Sequence, residues 1–156
     1  MVLKGDNSFK FTAEVVGDDI VLRNVRATCF GGSADPQDSG ETASGLSTKK
    51  FHWLPAVSLP MDGRMFSSTS AAFHKALDGS PIPKVPWGTM VKITHMNGVD
   101  VPDYTFPVID LGPGKRTGNA LDLTIAAARL YSARASATNF EAMVDFVILG
   151  GAKYVR

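Results

Sequence analysis

Cysteine is nearly absent: Cys29 is the single one in 156 residues, so no internal disulfide can brace the fold. It sits in the strand-like run Ala27-Thr28-Cys29-Phe30, where a small buried hydrophobe is favoured over a Cys–His nucleophile pair. An excess of charge of one sign is lacking too. Sixteen Lys and Arg face fifteen Asp and Glu, for a formal net charge of +1. Nucleic-acid binding needs clustered cations, and the short pairs Lys49-Lys50 and Lys115-Arg116 do not supply them. No apolar run reaches the ~18 residues of a membrane helix, so no membrane span is expected. The N-terminus has neither an apolar signal core nor a small-residue cleavage site. His52, His74 and His95 lack metal-ligand spacing such as H-x-x-x-H, so no metal is expected. Residues 112–116, Gly-Pro-Gly-Lys-Arg, are too short for a phosphate loop. No cofactor is expected.

What is present is ordinary globular material. The hydrophobic share is 44% and the charged share 20%, enough for one domain to bury a core unaided. Fifteen glycines and nine prolines are scattered, not gathered in a linker, so residues 1–156 read as a single domain. Phe9, Phe11, Ala13 and Val15 alternate with polar neighbours, which is strand period. Gly17-Asp18-Asp19 is a turn signal. A strand from Ile20 to Arg26 closes a hairpin, and Ala27 to Phe30 makes a third strand. Residues 31–50 form a long polar stretch of the kind that carries function when it occurs inside a compact domain. Residues 56–59 are a short apolar segment. Ser70 to Leu77 has helical spacing. Trp87 to His95 reads as a strand, Asn97-Gly98 as a hairpin turn, and Tyr104 to Leu111 as a strand whose Pro107 suits an edge or a bulge. Thr124 is a plausible N-cap for a helix from Ile125 to Tyr131, opened by Asp122-Leu123-Thr124. A turn of helix over 139–143 and a strand from Val144 to Leu149 complete a mostly β chain.

Four signals then fall in one order. They are Thr42-Ala43-Ser44-Gly45, Pro86-Trp87-Gly88-Thr89, Ile109-Asp110-Leu111-Gly112-Pro113, and Asn119 to Thr124 running into the alanine-rich helix. This series resembles the RlpA-like double-psi β-barrel family, which is related to expansins and to MltA-type lytic transglycosylases. The resemblance covers residues 25–149. It implies a six-stranded double-psi β-barrel with one or two short helices, with residues 1–24 as an N-terminal hairpin extension. The chain departs from the family pattern in three places. Leu111 stands where the D-R-GP arginine is usual, His74 lies well before Pro86, and residues 56–65 have no clear counterpart.

The residues carry their own chemical argument. Asp110 ends an apolar strand, and a carboxyl shielded from water holds its proton more readily, as a general acid must. The resemblance points to the same residue as the catalytic acid/base of MltA-like barrels. A structural aspartate bonding backbone N–H groups is the competing reading. Asp122 is the second carboxyl. Its position before a helix favours a structural role, and if it faces Asp110 it would tune that residue. Asp35 and Asp38 could supply a further acid or base, though loop polarity accounts for them. Thr42 and Ser44 could bond sugar hydroxyls, Trp53 and Trp87 could stack on sugar faces, and Gly112 leaves room for a bulky sugar. Trp53 is the better candidate for exposure and Trp87 for the core. His74 and His95 are candidate proton partners of Asp110.

Two functions follow as expectations. One is a lytic transglycosylase-like or glycoside hydrolase-like enzyme, a lyase acting on peptidoglycan or another cell-wall polysaccharide with Asp110 as acid/base. The other is a non-catalytic, expansin-like wall-binding module. A phage or secretion-system component that engages the wall is a third and weaker one. A wall substrate implies an extracytoplasmic or secreted protein, as a mature chain or one delivered by another route. The partner is the polysaccharide, and the chain is expected to act as a monomer.

Overall fold

The computed structural model describes residues 1–6, 8–31, 44, 47, 53–60, 79–113 and 117–155. Among these described residues nine strands and one short α-helix follow in chain order. They are β1 (Val2–Lys4), β2 (Thr12–Val16), β3 (Asp19–Phe30), β4 (Val57–Leu59), β5 (Met90–Met96), β6 (Val99–Asp100), β7 (Thr105–Leu111), β8 (Leu121–Thr124), α1 (Ile125–Arg129) and β9 (Glu141–Ile148). A 3-10 turn, Gly151–Tyr154, closes the chain. Among the described residues strand makes up 46% and helix 9%, so the mostly β expectation holds.

Local sequence explains most elements. In β3 the residues Ile20, Leu22, Val25, Ala27 and Cys29 are buried while Arg23, Asn24 and Arg26 are exposed, the pattern of a strand with one wet face. The expected break between Arg26 and Ala27 does not occur; one twelve-residue strand runs through it. Asn97 (φ 52°) and Gly98 (φ 80°) turn the β5–β6 hairpin, the two positive φ values that favour Asn-Gly there. Thr124 caps α1 by accepting the Ala127 N–H.

Other expectations shift. Asp122 and Leu123 belong to β8, not to a helix opening, because they pair with β3 and β4. α1 ends at Arg129, short of Tyr131. Residue 141 already begins β9, so no helix runs through 139–143. Trp87 sits in a turn ahead of β5. Pro107 is not on an outer edge, since β7 pairs with both β5 and β4. Val108 N–H bonds Thr89 O towards β5, so the Pro107 nitrogen points the other way. On that side the β4 pairing begins only at Val108. A proline therefore costs no ladder bond.

Six of the strands close a ring. β3 pairs with β9, β9 with β5, β5 with β7, β7 with β4, β4 with β8, and β8 returns to β3. Two of these contacts, β3·β8 and β4·β7, are parallel and the rest antiparallel. The pattern has an internal symmetry. Exchanging β3, β4 and β5 for β7, β8 and β9 respectively reproduces every pairing and its direction. Inside the ring Ile20, Leu22, Val91, Ile93, Phe106, Leu121, Leu123, Phe146 and Ile148 are almost fully buried. β1 and β2 continue the sheet outward from β3.

Candidate functional site

The ring brings the two carboxyls that the sequence singled out into one row. Ser58 of β4 is the register partner of Asp110 on β7 and of Asp122 on β8. Asp122 in turn pairs with Thr28 of β3. The order across four strands is Asp110, Ser58, Asp122, Thr28. Two strand widths separate the carboxylate-bearing positions, about 10 Å between Cα atoms.

A bulge sets this alignment. Val57 pairs with Val108 but Ser58 pairs with Asp110, so Ile109 is the extra residue of β7. Bulges re-aim the residues that follow them. Ile109 goes instead into a small second cluster with Ala56, Phe30 and Leu54. Asp110 is half-buried, and its Oδ1 accepts the Leu111 N–H at 2.8 Å. Ser58 is 1% exposed, and its hydroxyl donates to Gly112 O at 2.6 Å. Gly112 holds φ at 142°, and a Cβ there would lie 3.4 Å from Ser58 Oγ. The chain leaving β7 is therefore fastened to β4 directly beside Asp110. Asp122 accepts a hydrogen bond from the Thr28 hydroxyl. Asn119 Nδ2 donates to that same oxygen at 3.4 Å.

Thr124 ties the next layer. Its hydroxyl donates to Leu54 O at 2.8 Å and accepts the Ala56 N–H at 3.1 Å. Residues 54–56 are thereby held against the end of β8, two residues beyond Asp122. Trp53, next in the chain, is 66% exposed.

The remaining candidates lie elsewhere. Trp87 is half-buried and packs on the main core. Ser44 sits in a turn. Thr42 and His74 lie outside the described residues, as do Asp35, Asp38, His52 and the helical spacing of residues 70–77. His95 is not a partner of Asp110. Met90 pairs with Pro107 and Lys92 with Thr105, so β5 runs away from Asp110 as it approaches His95. His95 instead stands between Asp100 (Nε2 to Oδ1, 2.9 Å) and Asp145 (Nδ1 to Oδ2, 3.2 Å). Among the described residues no group of three His, Cys, Asp or Glu side chains is placed to hold a metal ion. No helix there is long and apolar enough to cross a membrane.

Sequence reasoning missed Ser58, Thr28 and Asn119. The available signal for the first two was a single polar residue inside an apolar run. No protein-family model and no curated protein matches the chain.

Proposed function

We propose that the ring is a double-psi β-barrel of the RlpA-like kind and that it processes a cell-wall polysaccharide such as peptidoglycan, with Asp110 as acid/base. The observation that carries this reading is the register row in which Asp110 and Asp122 flank Ser58. Support for the barrel comes from the exchange symmetry of the strand pairings, which a fold built from two interlocked halves requires. Support for a sugar ligand comes from exposed Trp53, anchored through residues 54–56 to the same end of β8. An exposed aromatic face suits a saccharide, which offers apolar ring faces and many hydroxyls. A lytic transglycosylase needs no water-activating base, because a hydroxyl of the sugar itself attacks the anomeric carbon as the glycosidic oxygen leaves with a proton. One carboxyl serves as acid and then as base.

A second reading, an expansin-like binding module, is favoured by one observation. Asp110 Oδ1 is engaged by the amide of the following residue, the role of a structural aspartate at a strand end. Incubating wild-type protein and Asp110→Asn with peptidoglycan sacculi separates the two. Soluble anhydro-muropeptides from wild type alone establish transglycosylation, and ordinary reducing ends establish hydrolysis. Sedimentation with sacculi without products leaves the binding module. Absence of both products and sedimentation refutes the wall reading.

A further inference from the structure

β3 changes partners part-way along its length. Its antiparallel pairing with β2 ends at Val21, opposite Glu14, and its parallel pairing with β8 begins at Ala27, opposite Leu121. Between them the chain forks, and a cleft of about 460 Å³ opens, lined by residues 9–12 and 23–25. The fork is built deliberately on the other flank of β3. Leu22 pairs with Phe146 and Val25 with Val144, so Arg23 and Asn24 together bulge opposite Asp145. Asn24 takes a left-handed backbone (φ 52°), and its N–H donates to Asp145 Oδ1 at 2.6 Å. This bulge presents Arg23 and Asn24 to the cleft.

Lys10, Thr12, Arg23 and Asn24 bring side-chain donors to the lining of the cleft. Lys10 has no ion-pair partner among the described residues. Its stem lies over Gly118, where a Cβ would stand 3.4 Å from Lys10 Cγ. The Asn24 side-chain amide and the Thr12 hydroxyl make no hydrogen bond among the described residues. Arg23 meets Glu14 through Nη1 at 2.6 Å, and that carboxylate offsets one of the two cations. Phe9 and Phe11 stand edge to face, 5.8 Å between centroids. An anion entering this space meets an ammonium, an amide and a hydroxyl, and the charged bond to Lys10 is the strong one.

We infer that the fork is a binding site for an anionic group, a carboxylate or a phosphate, contributed by residues 9–12 and the β3 bulge. It neighbours the carboxylate row through the chain itself. Gly118 lies under the stem of Lys10 and precedes Asn119, whose side chain reaches Thr28 beside Asp122. The inference stands apart from the glycan reading, because it requires only the anion.

An amide NMR titration of the full chain tests it with two matched pairs of probes. N-acetyl-alanyl-alanine is compared with its C-terminal amide, and glycerol phosphate with glycerol. The expected result is saturable shifts at residues 9–12 and 23–25 with an anionic probe and none with its neutral counterpart. Which anion does so identifies carboxylate or phosphate as the source. Lys10→Glu and Asn24→Gly each weaken binding, the first roughly tenfold or more. The glycine keeps the left-handed backbone and removes only the amide. Equal shifts from neutral and anionic probes overturn the site, and so does wild-type affinity in Lys10→Glu. A failure of sacculi to bind, with the anion shifts intact, sinks the wall reading alone.

Discussion

Replacing Thr124 by valine removes one hydroxyl and leaves the side-chain shape almost unchanged. Thr124 is 0% exposed, so water cannot take the place of the lost group. Three backbone groups lose a partner: Leu54 O at 2.8 Å, Ala56 N–H at 3.1 Å and Ala127 N–H at 3.3 Å. Loss of the helix cap costs about 1 kcal/mol. Leaving the Ala56 N–H buried without its partner adds about 1–3 kcal/mol. The sum, about 2–4 kcal/mol, lowers Tm by roughly 4–16 °C in a chain of this size. Urea unfolding of wild type, Thr124→Val and Thr124→Ser measures it, with the serine variant retaining most of the stability. A valine variant within about 0.5 kcal/mol of wild type would refute the reasoning. It would mean that residues 54–56, and Trp53 with them, are held by something other than this hydroxyl.

Burial, and then the neighbouring Tyr104, raises the Tyr131 phenol well above its ordinary range. Its hydroxyl has no hydrogen-bond partner among the described residues. The unfolded chain releases that proton near the usual value of about 10 while the folded chain keeps it, so stability falls as pH rises above about 10. Tyr131→Phe removes this contribution, and its urea midpoint should change less than that of wild type between about pH 9 and 11; equal slopes disprove the assignment. Phe146→Ala empties a fully buried site in the ring and costs about 3–5 kcal/mol, read from denaturant unfolding. Ser58→Ala frees Gly112 O from its donor and costs about 1–2 kcal/mol. Under the wall reading it also lowers sacculus binding or cleavage at a temperature where both proteins are folded; unchanged interaction removes Ser58 from the groove.

Much of the local structure was legible without coordinates. Asn97-Gly98 names its own turn, because two consecutive positive φ values admit few residues. Thr124 identifies the start of α1, since only a short side-chain acceptor can satisfy the first free N–H groups. The strand character of Ile20 to Phe30 was legible, though the bulge at Arg23 and Asn24 that switches its inward face was not, and Asp110 was marked by its place at the end of an apolar strand. The boundary at Asp122 was misread because strand and helix both accept the apolar run that follows it, and pairing with β3 and β4 decides the case.

Partnership was beyond the sequence. A period of two tells a residue which face it takes and says nothing of which strand lies alongside. The parallel contacts β3·β8 and β4·β7 join segments far apart in the chain. So does the Thr28–Asp122 bond, across 94 residues. Ser58 gained its place between two carboxyls only from those registers and from the one-residue bulge at Ile109. Composition determined that this chain would bury a core without disulfides, and its alternation and turn signals that the core would be mostly β. Closure of the ring decided which of its polar residues stand together.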